Sequence, residues 1–201
     1  MDFFKKNFHD ILRLYINQVG ITIFALMLYT AAGIPDDGVL VSKLRTVVSV
    51  FSLLFYFILV YYVVWEYGAK DKIRVDGGRQ APIALKGLFM SLIANIPNFV
   101  LGTLSVAFCI ICLLGADGML NVFGIIFPIT MVHASMYMGV IQTIVYGFNL
   151  PDPEMLNLTE YVIMSVLFTL LPMFSCCVTQ FAYYLGSHEK KLLNIFSSKN
   201  K

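Results

Sequence analysis

Charge is what this chain has least of. Only 13% of its 201 residues are Asp, Glu, Lys or Arg, 59% belong to the hydrophobic set, and the net charge is +2. A water-soluble domain carries about 25% charged residues, so an ordinary soluble fold is excluded. Acidic residues are also missing where membrane chemistry would need them. All eight Asp and four Glu lie in linkers or at the ends, which leaves no carboxylate inside an apolar run to build a proton or sodium relay. The runs hold neither a nucleophile beside a base nor clustered carboxylates and histidines for a metal. An enzyme is therefore not expected, and no cofactor is implied. A basic patch large enough for nucleic acid is lacking too.

Cysteine is scarce, with four in the chain. Cys109-Ile-Ile-Cys112 has redox or metal spacing, but it lies in an apolar run with no second pair and no nearby His. Cys176-Cys177 sits deep in the last run. These thiols read as small apolar residues.

Long apolar runs are what the chain has instead. Uncharged stretches cover 14–35, 46–65, 87–116, 118–151 and 161–188. Each reaches the roughly 20 residues that a helix needs to cross about 30 Å of hydrocarbon. The expected fold is an all-α integral membrane protein, a single transmembrane domain over 1–201 embedded in the lipid bilayer. It is read as a helical bundle of five or six segments, near 14–35, 46–66, 86–115, 118–150 and 161–187.

The stretch 118–151 decides the count. As one straight helix it would be about 51 Å long, too long for one upright crossing and too short for two full ones. A broken or re-entrant hairpin fits, with Pro128 or the polar patch Thr130, His133, Ala134 and Ser135 at the bend, provided that non-helical backbone is buried. The alternative is one tilted helix and five crossings. Lys and Arg stay on the cytoplasmic side. A hairpin puts twelve of them inside and only Lys43 and Arg45 outside, whereas a single crossing gives eight against six. The even count is preferred, with the N-terminus and the linker 67–85 cytoplasmic and the acidic loop 149–160 outside. Segments 1–13 and 189–201 read as interfacial ends. Phe4, Phe8, Ile11, Leu12 and Tyr15 recur at helical spacing among Lys5, Lys6, Asp10 and Arg13.

Pro97, Pro128 and Pro172 each fall about a third of the way into a long run. Each frees the carbonyl four residues earlier, those of Ile93, Gly124 and Phe168. One reading is a set of Pro-broken helices forming an intramembrane polar site from Asn95, Pro97, Asn98, Thr130, His133 and Gln142. The other is a set of kinks repaired by neighbouring side chains. Gln142 and Gln180 read as polar glue between helices, and Ser135 with Gly139 as a small-residue contact face.

The most distinctive polar segment is 66–86, EYGAKDKIRVDGGRQAPIALK, directly after Trp65. Glu66 and Lys70 are spaced to pair on a helix, and Gly77-Gly78 marks a turn. Glu66, Lys70, Asp71, Lys72, Arg74, Asp76 and Arg79 form a candidate surface for a membrane or cytosolic protein partner, or for phosphate-bearing lipid headgroups. An ordinary positive-inside loop with a Trp anchor is the plainer alternative.

The run YYVVWEYGAKDKIRVDGGR, followed by KGLFMSLIANIPNFVLG, resembles a stretch in uncharacterised small multi-pass membrane proteins of Gram-positive bacteria. The likeness is sharpest over 65–102. It implies a bacterial plasma membrane and carries over no catalytic or binding residue. By size and segment count the chain is also similar to the small substrate-binding subunits of energy-coupling-factor transporters, an analogy without a motif. Two functions follow as expectations: a small transport-related or substrate-binding subunit, or a non-catalytic accessory protein that packs against another membrane protein.

Overall fold

The computed structural model describes residues 2–34, 38–147 and 157–190. About 87% of them are helical and none lies in a strand. Seven α-helices follow one another: α1 (Asp2–Ala31), α2 (Gly38–Asp76), α3 (Lys86–Ala94), α4 (Ile96–Leu113), α5 (Leu120–His133), α6 (Ser135–Tyr146) and α7 (Leu158–Ser187).

The amphipathic segment 1–13 and the apolar run after it belong to one continuous helix, α1. The apolar run of α2 likewise continues unbroken into the charged segment as far as Asp76. What stops it is Gly78, at φ +66°. The amide of Gly78 donates to the Val75 carbonyl at 2.9 Å and that of Arg79 to the Arg74 carbonyl at 2.9 Å. These are the paired bonds of a Schellman end, whose left-handed position suits glycine. The expected linker 67–85 therefore narrows: 67–76 is helix, and the non-helical part begins at Gly77.

The run 86–115 is two helices, interrupted at Asn95 (φ −90°, ψ 3°). Pro97 stands in the first turn of α4, where a missing N–H removes no helical bond. Pro128 and Pro172 lie inside α5 and α7 without ending them. The stretch 118–150 is bent by 110° between α5 and α6, at Ala134 (φ −108°, ψ 24°).

Four helices, α1, α2, α4 and α7, are long and apolar enough to cross a membrane, and the bent pair makes a fifth if taken as one span. The six-segment end of the expected range is corrected. At about 1.5 Å per residue α5 and α6 reach only about 21 Å and 18 Å, short of about 30 Å of hydrocarbon.

The helices form two compact units, one within 1–17, 56–94 and 173–201, the other within 18–55 and 95–172. In the first, α2 buries Tyr56, Val60, Val64 and Tyr67 along one stripe, with Met90 of α3 and Tyr183 of α7 also in the core. Gly68 and Gly186 let the backbones of α2 and α7 meet: a Cβ at Gly186 would strike the Trp65 carbonyl, and one at Gly68 the Tyr183 carbonyl. In the second unit, Phe123 and Phe127 of α5 pack edge-on against Tyr161 of α7 at 5.6 Å and 4.9 Å between centroids.

Candidate functional site

Two polar assemblies lie inside the units. In the first unit, Lys86 at the start of α3 is only 2% exposed and Asp71 of α2 only 4%. The Lys86 ammonium donates to Asp71 Oδ2 at 2.6 Å, and the Tyr183 hydroxyl donates to the same oxygen at 2.9 Å. Arg74 Nη1 approaches Oδ1 at 3.5 Å. One turn before Tyr183 on α7, Gln180 seats α3: its Oε1 accepts from the Leu88 amide and its Nε2 donates to the Ala84 carbonyl, both at 2.9 Å. The carboxylates lie outside the apolar runs, yet Asp71 and Lys86 are nonetheless buried. The pair is interior because α2 stays helical past Glu66, which carries its inward stripe on to Asp71.

The sequence-derived surface is thus divided. Asp71 faces inward. Glu66 and Lys70 pair on the outside at 2.6 Å, and Lys72 reaches Glu189 at 2.9 Å. Asp76 and Arg79 are exposed at the end of α2. Two cavities flank Asp71. One, of about 460 Å³, is lined by Asp71, Asp76, Tyr183, Tyr184 and His188, among others. The other, of about 170 Å³, lies where α1 and α2 come together.

The second assembly is in the other unit, where both helix breaks meet one face of α1. Gln18 and Thr22 stand one turn apart. Gln18 Nε2 donates to Asn95 Oδ1 at 3.1 Å, at the α3–α4 break. Thr22 Oγ1 donates to the His133 carbonyl at 3.3 Å, and Ser135 Oγ donates back to the Thr22 carbonyl at 2.7 Å, at the α5–α6 break. Asn98 Nδ2 also donates to Asn95 Oδ1, at 2.9 Å. Asn98 is 4% exposed, and its own Oδ1 has no hydrogen-bond partner. A buried acceptor left open in this way costs about 1–3 kcal/mol.

Asn95, Asn98 and His133 of the expected intramembrane site are therefore gathered along α1, with Pro97 in the turn between the two asparagines. Thr130 turns instead to the Ile126 and Leu101 carbonyls, at 2.9 Å and 3.3 Å. Gln142 lies in a separate cluster, accepting from the Tyr29 hydroxyl at 2.5 Å, while the Arg45 guanidinium stacks 4.6 Å from the Tyr29 ring centre. Gln18 and Thr22 were missed from sequence, where their spacing of four in an apolar run was the available signal. Lys86 was missed because it reads as the border of a run.

No family model, curated protein or solved structure matches the chain. Chemically, the assembly along α1 offers an open amide acceptor on Asn98 beside hydroxyls of Thr22 and Ser135 that bond to backbone carbonyls within it.

Proposed function

We propose that the chain is a non-enzymatic multi-pass protein of the bacterial cell membrane that binds a small polar solute as a transport-related subunit. The convergence of two helix breaks on Gln18 and Thr22, with the unpartnered Asn98 oxygen beside them, carries this reading. Discontinuous helices place backbone and amide groups at membrane depth in many transporters. The outward residues support the membrane setting: Met27, Ile125 and Val47 are 65%, 64% and 64% exposed, a surface that hydrocarbon solvates and water does not. With the bent pair re-entrant, four crossings return the tail to the side of the N-terminus, in keeping with the distribution of Lys and Arg.

Thermal unfolding of the purified protein against a panel of amino acids, sugars, nucleosides and vitamins tests this. A solute at 100 times its Kd adds about 2.7 kcal/mol to stability. At least one class is expected to raise Tm, and Asn98→Ala to abolish that response while keeping a cooperative transition. If no class raises Tm and another membrane protein co-purifies, the chain is an accessory protein and the solute reading fails.

A further inference from the structure

We propose that the 170 Å³ cavity between the start of α1 and the end of α2 is a binding site for a phosphate group, presented at the boundary between the apolar and charged parts of both helices. It is lined by Arg13 from α1 and by Tyr67, Lys70 and Arg74 from α2, with Asp10 and Asp71 as its acids. Three of these lining residues are cations, and none of the ion pairs among the described residues uses Arg13.

The acids subtract less than their number suggests. Asp71 is matched by Lys86 at 2.6 Å. Lys70 is held by Glu66, but that pair is about half exposed on both sides, so it is weak and readily exchanged. Asp10 remains, against the Arg13 guanidinium, while the Arg74 guanidinium is held by Asp71 Oδ1 only at 3.5 Å.

An independent observation points into the same cavity. Tyr67 is 5% exposed, and its buried hydroxyl stands beside the Arg13 guanidinium. A neutral donor beside guanidinium groups suits a phosphate oxygen, since arginine binds phosphate through two parallel N–H bonds. Position along the chain adds a third. Arg13 is the last charge before the stretch 14–35, and Glu66 the first after 46–65. A cavity at that level meets the phosphates of a bilayer. The same chemistry would accept free phosphate.

Both sources are tested with purified protein in neutral mixed micelles, by titrating phosphatidic acid in one arm and inorganic phosphate in the other and following Tm. Phosphatidic acid is expected to stabilise the protein. Arg13→Gln and Tyr67→Phe should each raise the half-saturating concentration about tenfold. The double variant Lys5→Gln, Lys6→Gln removes more charge at the same end of α1 and should change it less than about twofold, because screened charges outside the site act weakly. A response to inorganic phosphate equal to that of phosphatidic acid keeps the site and makes free phosphate its ligand. Stabilisation by neither, or equal weakening in the Lys5/Lys6 variant, overturns the proposal. Tyr67→Phe keeps the ring in the core, so loss of fold does not obscure the result.

Discussion

Lys86 and Asp71 hold opposite charges in an interior that solvates neither. With one oxygen of Asp71 taking two donors and the other facing Arg74, the carboxylate is matched on all sides. Removing one member of such a pair leaves an unmatched buried charge, typically at 3–5 kcal/mol. Lys86→Met is expected to lower stability by about that much, and adding Asp71→Asn to recover most of it, read by chemical unfolding in micelles. A double variant as unstable as the single one would show that the charges are not what couples these residues. The position of Asp71 was hidden by its neighbours Lys70, Lys72 and Arg74, which make the segment look like solvent-facing surface. Helical spacing would have revealed it: Tyr56, Val60, Val64 and Tyr67 lead to Asp71 on one stripe.

At the scale of elements, the bent pair α5 and α6 shows both the reach of sequence and its limit. Its existence follows from length, since 34 uncharged residues fit neither one upright crossing nor two. Proline was one candidate for the bend, yet Pro128 sits within α5, and the chain turns at Ala134. Tertiary bonds decide the point. Thr22 and Ser135 tie the break to α1, and Gly139 donates its amide to Ser49 Oγ of α2 at 2.8 Å. A side chain at Gly139 would strike the Arg45 carbonyl and Ser49. Ser135 and Gly139 therefore seat on two different helices, which spacing alone does not distinguish. Gly139→Leu should displace α6 and reduce the yield of folded protein in size-exclusion chromatography. Ser49→Ala should remove one hydrogen bond and lower stability by about 1 kcal/mol.

For the whole molecule, the all-helical class was legible in the charge map, because the uncharged runs have the length of helices able to cross a membrane. The number of crossings was not, since it rests on one bend. Single cysteines at Lys5, Glu160 and Glu189 on a cysteine-free background provide the check. Membrane-impermeant thiol reagents are expected to reach Lys5→Cys and Glu189→Cys from one face and Glu160→Cys from the other. Labelling of Lys5→Cys and Glu189→Cys from opposite faces would make the bent pair one full crossing, and labelling from the same face a re-entrant loop.

The seat of the bend also has an order in time. Thr22 and Ser49 are synthesised before Ala134, and the Leu101 carbonyl that receives Thr130 precedes it as well. The polar partners of the turn are thus complete while α7 is still inside the ribosome, and later parts of the chain add aromatic packing through Tyr161 and Phe168. A nascent chain ending before Leu158 already holds the hydrogen-bond partners of the turn, Thr22, Ser49 and Leu101, so the bend between α5 and α6 can form before the last helix arrives.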